Sequence, residues 1–525
     1  MGDRHGSRPP GKVSQGGLAT ALARTNWFGA SHVATDPLTD QLVRERAVRE
    51  RSAWLVLAVI GIGFAAVVTA LTAINVALPS AQHEMQFTTA DRQWVVTAYT
   101  LAFGSLLLAG GKLVDLLGQK TTFLVGLLGF AAVSAVGGAS VNFGMLVAGR
   151  AFQGAFAALL VPSAISLLST TFTDPKERAR AFGIFGAIAT AGGAVGLLIG
   201  GALTEYLSWR WTLYINVVFA GVAFVGGALA LARRPTPSRP RLDVPGVLLS
   251  SAGMFSLVYG FGNAATYGWG NPSTWGFLVA GMALLTLFAL WMGRTANPLL
   301  PPRVVLNRNR AGAYVAVFFA SFCMFATFFL LTYYLQGTLG FSPVTAGLAF
   351  LPMSAGLVLA SNLSTIVLLP RVGPRPLMPV GLAVAAGGTA WLAQLGPHAG
   401  YAESVLGPLV LIGLGLGSVI APSINAGTYG VAPQDAGAAS ATVTVGQQLG
   451  ASISTSLLNT IFATAVASYL VTHAFAGREA NGLALAYGYD AAFWWTAVIA
   501  ASGAIIAALL FRPGLLFQPA SPVKR

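Results

Sequence analysis

The sequence predicts an all-α integral membrane protein with 14 transmembrane helices. Two observations carry that expectation. Of 525 residues only 9% are charged while 55% are hydrophobic, against about 25% charged residues in soluble domains. So few charges cannot cover a water-exposed surface, which excludes a soluble globular enzyme. The second observation is the spacing of the apolar residues. A hydrocarbon core of about 30 Å needs about 20 apolar residues in a helix, and 14 runs of that size follow one another along the chain.

Taken in order, the runs cover residues 53–78, 94–113, 122–139, 145–168, 181–203, 211–231, 244–262 and 275–292. Six more cover 312–335, 344–369, 377–395, 405–426, 438–470 and 491–511. The thirteenth is long enough to hold a span with an overhang, and splitting it would change the parity. Charge placement tests that parity. With the amino terminus in the cytoplasm, 26 of the 30 Lys and Arg fall in cytoplasmic segments, Arg92, Arg210 and Arg478 fall outside, and Arg150 lies within a run. Such a bias places both termini inside and requires an even number of spans. The net charge of +14 is therefore a topology signal, with anionic lipid as a secondary partner. Nucleic acid is excluded because the cations form no face on a polar domain.

Residues 1–52 are polar, rich in Gly, Ser, Pro and Arg, and read as a disordered cytoplasmic tail. The loop from Gly111 to Lys120 and the loop from Leu369 to Arg375 are both short and cytoplasmic, and Gly118 and Lys120 match Gly373 and Arg375. Parallel repeats predict such a match. The expected organisation is thus a six-helix half at 53–232, an inserted helix pair at 244–293, a cytoplasmic linker at 294–311, a second six-helix half at 312–511 and a tail at 512–525.

Arg150 is a cation about six residues inside its run, and a charge at that depth costs at least ~2.5 kcal/mol, which marks a functional residue. Its partners are expected to be either Thr72 and Asn75 or Glu205. Gly192, Gly196 and Gly200 form a small-residue face for close helix packing. The thirteenth run carries Gln447 and Gln448 on a polar stripe with Ser452 and Asn459, which either lines a wet cavity or bonds another helix. Phe322 and Phe325 belong to an aromatic stripe on the ninth run that faces either a ligand cavity or lipid. No acid is placed deep in any run. No nucleotide-binding, zinc-protease or serine-nucleophile motif occurs, so no cofactor, no metal and no enzymatic activity are expected.

Four local motifs together resemble the Major Facilitator Superfamily, in particular its fourteen-helix drug:proton antiporters. They are Gly111, Leu113, Asp115, Gly118 and Lys120 in the loop after the second run, and Arg150, Gln153 and Gly154 in the fourth. The other two are Thr72 to Pro79 in the first run and Gly193 to Gly201 in the fifth, followed by Trp209, Arg210 and Trp211. The resemblance implies a monomeric plasma-membrane multidrug exporter that alternates access and exchanges a small amphiphilic or lipophilic substrate for protons, giving antibiotic resistance. It implies a gate at Gly111, Asp115, Gly118 and Lys120, coupling at Arg150, Gln153 and Glu205, and a cavity lined by Thr72, Asn75, Gln447, Gln448, Phe322 and Phe325. It also sets the Gly192, Gly196 and Gly200 face against the other half. Three departures stand out: the family's acid in the first helix falls on Ala70, its proline in the fifth on Leu197, and two loop arginines on Leu116 and Gln119. Proton drive then requires Glu205, Asp91 or Asp115 in place of the missing acid. Two alternatives remain: a lipid or secondary-metabolite exporter or flippase with unusual or no proton coupling, and a membrane-embedded binding or regulatory protein that does not transport.

Overall fold

The computed structural model describes residues 37–89, 91–172, 174–231, 243–295, 298–396, 400–431, 435–473 and 479–512. The chain divides into two units, Met1–Arg51 and Ser52–Arg525. Of the first unit, residues 37–51 are described, and they are helical. The stretch read as a disordered tail is therefore partly helix. It follows a proline suited to a first turn and contains no further Gly or Pro up to residue 52; residues 1–36 lie outside the described residues.

All regular structure among the described residues is helical. The long helices are α1 (Pro37–Met85), α2 (Gln93–Leu117), α3 (Gln119–Gly138), α4 (Phe143–Thr171), α5 (Pro175–Tyr206), α6 (Trp211–Ala230), α7 (Val244–Tyr267) and α8 (Pro272–Met292). After a short turn of helix at Pro302–Val305 come α9 (Arg308–Tyr333), α10 (Pro343–Val372), α11 (Pro374–Leu392), α12 (Tyr401–Thr428), α13 (Ala436–Thr472) and α14 (Glu479–Leu510). Among the described residues twelve helices are long and apolar enough to cross a membrane. The other two are α5, which opens on Lys176, Glu177, Arg178 and Arg180 and whose apolar part is Val195–Tyr206, and α11, which carries Arg375 among three prolines. The thirteenth run is one uninterrupted helix. The tenth is broken at Phe350 and widened into a π turn at Ser364–Leu368.

Polar side chains set several helix starts by accepting from amides of the first turn. Asn142 does so for α4, Asp243 for α7, Asn271 for α8, Asn307 for α9 and Ser342 for α10. Asp243 also accepts from the Trp291 indole at 2.8 Å, so the far end of α8 is pinned to the start of α7.

The packing of α1 to α6 recurs in α9 to α14. Helix α2 packs on α4, α3 on α4 and α3 on α6; likewise α10 packs on α12, α11 on α12 and α11 on α14. Glycines allow backbones to touch at matched interfaces. A Cβ on Gly154 would run into the Tyr99 carbonyl, and one on Gly413 into the Met353 carbonyl. Between α2 and α3 the chain turns at Gly118 with φ +86°, and between α10 and α11 at Gly373 with φ +76°. A side chain at either position would be strained. The main crossings that join the sets are α2 on α13 and α5 on α10, and α7 packs against both α2 and α13.

Candidate functional site

Arg150 is 1% exposed. Its Nε donates to the Val95 carbonyl at 2.9 Å, and its Nη1 to the Ala70 carbonyl at 3.1 Å and to Gln153 Oε1 at 2.5 Å. The guanidinium also lies 4.5 Å from the centre of the Tyr99 ring. Gln153 passes the chain on by donating to Ser134 Oγ at 2.7 Å. One turn of α4 is thereby bound to α1, α2 and α3. None of the partners expected from sequence is among these contacts. Thr72 and Asn75 bond carbonyls of their own helix at Val68, Leu71 and Thr72, and Glu205 is committed elsewhere. The physical reason lies at position 70: with alanine in place of an acid, the arginine turns to the backbone oxygen there. Its Nη2 remains buried without a hydrogen-bond partner.

A second buried arginine stands at a position that the sequence assigned only to an outside segment between runs. Arg92, at the start of α2, is 3% exposed. Its guanidinium lies 3.9 Å from the centre of the Tyr333 ring, 5.0 Å from that of Phe329 and 5.1 Å from that of Phe462. Its Nε donates to Asn459 Oδ1 at 2.8 Å, and Asn459 donates back to the Thr89 carbonyl at 3.0 Å. A cation caged by rings of α9 and α13 thus ties the first set of helices to the second. The same seam is joined by Thr97 with Ser456 at 3.3 Å and Thr100 with Ser452 at 2.6 Å. Tyr333 Oη donates to Gln82 Oε1 at 2.9 Å, and Gln336 Nε2 to the Val76 carbonyl at 2.8 Å. All of these bonds sit toward the end of the bundle that holds the α1–α2 loop.

Glu205 belongs to this end too. Its Oε2 accepts from the Val344 amide at 2.9 Å, at the start of α10. The Ser342 hydroxyl, and then that amide, hold its carboxyl below the usual carboxylate range. Next to it the α5–α10 crossing is close, because a Cβ on Gly201 would lie 2.5 Å from the Pro343 carbonyl and one on Gly347 2.8 Å from that of Leu197. Gly192, Gly196 and Gly200 face the opposite way. Their Cβ positions meet Val68, Thr72 and Ala73 of α1, which corrects the expectation that they contact the other half. Helix α5 turns this glycine stripe to α1 and Gly201 to α10.

At the other end, Lys120 Nζ donates to the Ala228 carbonyl at 2.9 Å and to the Leu231 carbonyl at 2.5 Å, closing the C-terminus of α6. Such a placement also suits the negative end of the helix dipole. Gly111 has open space around its Cβ position. Asp115 lies in the last turn of α2 rather than before α3, and its side chain lies outside the described residues. On the linker, Arg303 pairs with Asp435 at 2.7 Å and holds that carboxyl below its usual range.

The polar stripe of α13 divides. Ser452, Ser456 and Asn459 bond α2 and the turn before it, whereas Gln448 is buried with its Nε2 unpartnered, beside Gly104. Gln447 is half-buried one position away. Phe322 and Phe325 are buried in the core, so lipid contact does not account for them. A Cβ on Gly450 of α13 would come within 3.0 Å of the Phe322 amide. Among the described residues one acid does lie deep inside a span, contrary to expectation: Asp490, half-buried in Asn481–Leu510 with Oδ1 unpartnered. Reading its helix from residue 491 had left it out.

Residues 53–455 match the Major Facilitator Superfamily. The chain is 45% identical over 404 residues to the puromycin resistance protein of Streptomyces alboniger, covering 77% of this chain and 80% of that one. It is 37% identical to the cephamycin export protein of Amycolatopsis lactamdurans, covering 74% and 80%. It is also 32% identical to the lincomycin resistance protein of Streptomyces lincolnensis, covering 77% and 84%. The fold is that of a bacterial homolog of the human lysosomal transporter Spinster, in its inward-facing form, with a TM-score of 0.60 at 16% identity over 88% of this chain and 96% of that one. The chain belongs to the Major Facilitator Superfamily of membrane transporters, with relatives of the drug-efflux type, and is not an enzyme.

Proposed function

We propose that the chain is a secondary active exporter of amphiphilic or lipophilic compounds of the antibiotic class, working in the plasma membrane by alternating access and proton antiport. In this reading all 14 long helices cross the bilayer with both termini in the cytoplasm, α1–α6 and α9–α14 are the two moving halves, and α7–α8 are an insertion. The observation that carries it is the seam. Two sets of helices with matched internal packing meet through short polar bonds gathered toward one end, which is what two rocking bodies closed on one side require. In this reading the closed end faces outward, which the bias of basic residues toward the opposite loops supports. Resistance and export proteins among the relatives support the substrate class.

Proton coupling rests on fewer residues. Arg150 with Gln153 remains, Ala70 supplies no carboxylate, Glu205 is bound at the closed gate, and Asp490 lies deep inside a span. The test is purified protein in sealed vesicles with an imposed pH gradient and a panel of dyes and antibiotics. Efflux that rises with the gradient supports antiport, and equal efflux with and without it sinks antiport while leaving export standing. The departure at Ala70 favours one second reading, an exporter driven without protons, for which the same vesicles give the answer.

A further inference from the structure

We propose that the inserted pair completes a lateral ligand site, a groove between α2, α4 and α7 that takes a soluble amphiphilic organic cation. The groove has a volume of about 720 Å³, within the ~300–1,000 Å³ of small-molecule sites. Two kinds of group define its ligand. At one end lies the Asp91 carboxylate, whose hydrogen-bond partner among the described residues is the Thr88 hydroxyl at 2.6 Å. The adjacent Arg92 guanidinium is turned into its own aromatic cage and does not neutralise it. Along the wall, Trp94 lies 5.4 Å from Tyr259, and Tyr259 stacks on Phe255 at 5.6 Å, giving a continuous ring surface. Such a surface suits a delocalised cation or an aromatic body.

An acyl chain would bring no positive charge to the carboxylate, and an anion would be repelled at Asp91. The rings favour a planar aromatic body over an aliphatic one, which is why a soluble cation is chosen over a lipid with an ammonium head. The site deepens the exporter reading by naming a substrate class. Its binding test does not depend on that reading.

The probe is radiolabelled tetraphenylphosphonium, measured by equilibrium binding to the purified full chain in detergent and in phosphatidylcholine nanodiscs. Asp91→Asn should weaken binding about tenfold and Asp91→Glu should restore it, while Ala102→Phe, which fills the groove, should remove it. Unchanged affinity in both Asp91→Asn and Ala102→Phe overturns the site. Binding in detergent that phosphatidylcholine abolishes assigns the groove to lipid and also overturns it. Saturable binding without gradient-driven efflux of the same probe would sink the exporter reading and leave the site. Efflux that ignores all three substitutions would do the reverse.

Discussion

Replacing Arg92 with leucine removes a buried cation that bonds both sets of helices across the seam. The loss has two parts. The bond from Nε to Asn459 at 2.8 Å is charge-assisted, worth about 1.5–3 kcal/mol. The Tyr333 ring at 3.9 Å adds up to ~2 kcal/mol for a desolvated cation, with Phe329 and Phe462 contributing less at 5.0 and 5.1 Å. Against this stands the cost of drying a guanidinium whose Nη2 has no partner, several kcal/mol before compensation. Leucine avoids that cost and fills part of the cage. The balance leaves the closed seam favoured by about 1–3 kcal/mol less, an increase of roughly five- to 140-fold in the open population at ~1.4 kcal/mol per tenfold. Cys323 is the sole cysteine, so Cys323→Ala gives a blank background in which Ala77→Cys, fully buried beside the seam, reports opening to an impermeant maleimide. Arg92→Leu should speed labelling within that range, and Arg92→Lys, which keeps a cation in the cage but loses the Nε donor, should fall between. Labelling unchanged in Arg92→Leu would refute the latch and leave the seam to Thr97, Thr100 and their serines.

Four further outcomes follow from the same geometry. Ala70→Asp places a carboxylate beside the unpartnered Nη2 of Arg150. At an effective dielectric of about 20 the attraction is ~4 kcal/mol at 4 Å, so the protein should still fold and its efflux should become more dependent on an imposed pH gradient. An unchanged dependence in vesicles refutes position 70 as a coupling site. Gly200→Val should cost about 1–3 kcal/mol or more by overpacking, because its Cβ would lie 2.7 Å from the Ala73 Cα, whereas Gly111→Ala, in open space, should be neutral or raise the melting temperature by the ~1 kcal/mol that helix propensity favours. Glu205 has its carboxyl held below its ordinary value of 4.5 in the folded chain, so its contribution is present above that value and is lost as pH falls through the lower folded value. The melting-temperature gap between wild type and Glu205→Gln should therefore be full at pH 7 and shrink below about pH 4.5. Asp435→Asn, which breaks the pair with Arg303, should lower the melting temperature slightly, with a gap that closes on acidification for the same reason.

The apolar runs revealed the helices because their signal is collective, with about 20 residues agreeing on one solvent. The matched glycine turns also read correctly, since Gly118 and Gly373 each hold a conformation that another residue would adopt only under strain. Partner choice was less legible. Arg150 stood out as a cation inside an apolar run, yet its acceptors are backbone carbonyls of Val95 and Ala70, and any residue type supplies a carbonyl. Arg92 was hidden for the opposite reason. It sits two residues before its run and looks like an interfacial cation, and the cage appears only when α9 and α13 fold against it. The glycine stripe of α5 announces a close neighbour without naming it, and α1 and α10 both meet that helix.

The two buried arginines divide the work differently, and the difference follows from where their partners sit. Every acceptor of Arg150 belongs to α1, α2 or α4 of the same set, so rocking one set against the other need not break any of these bonds. Arg150 can therefore hold the first set rigid, with its free Nη2 awaiting an anion or a carboxylate. Every partner of Arg92 belongs to α9 or α13, so the same motion must break them and rehydrate the cation. A transporter needs both arrangements: bodies stiff enough to move as units, and a seam whose bonds are strong enough to close yet few enough to open. Arg92, Thr97, Thr100, Tyr333, Ser452, Ser456 and Asn459, joined by Gln82, Gln336 and Glu205, carry the polar part of that closed end, and Arg92 and Glu205 are the charged groups among them. Glu205 is exposed and Arg92 is buried, so the costly step of opening is the hydration of Arg92, which a substrate or ion arriving at that end can assist and a leucine cannot.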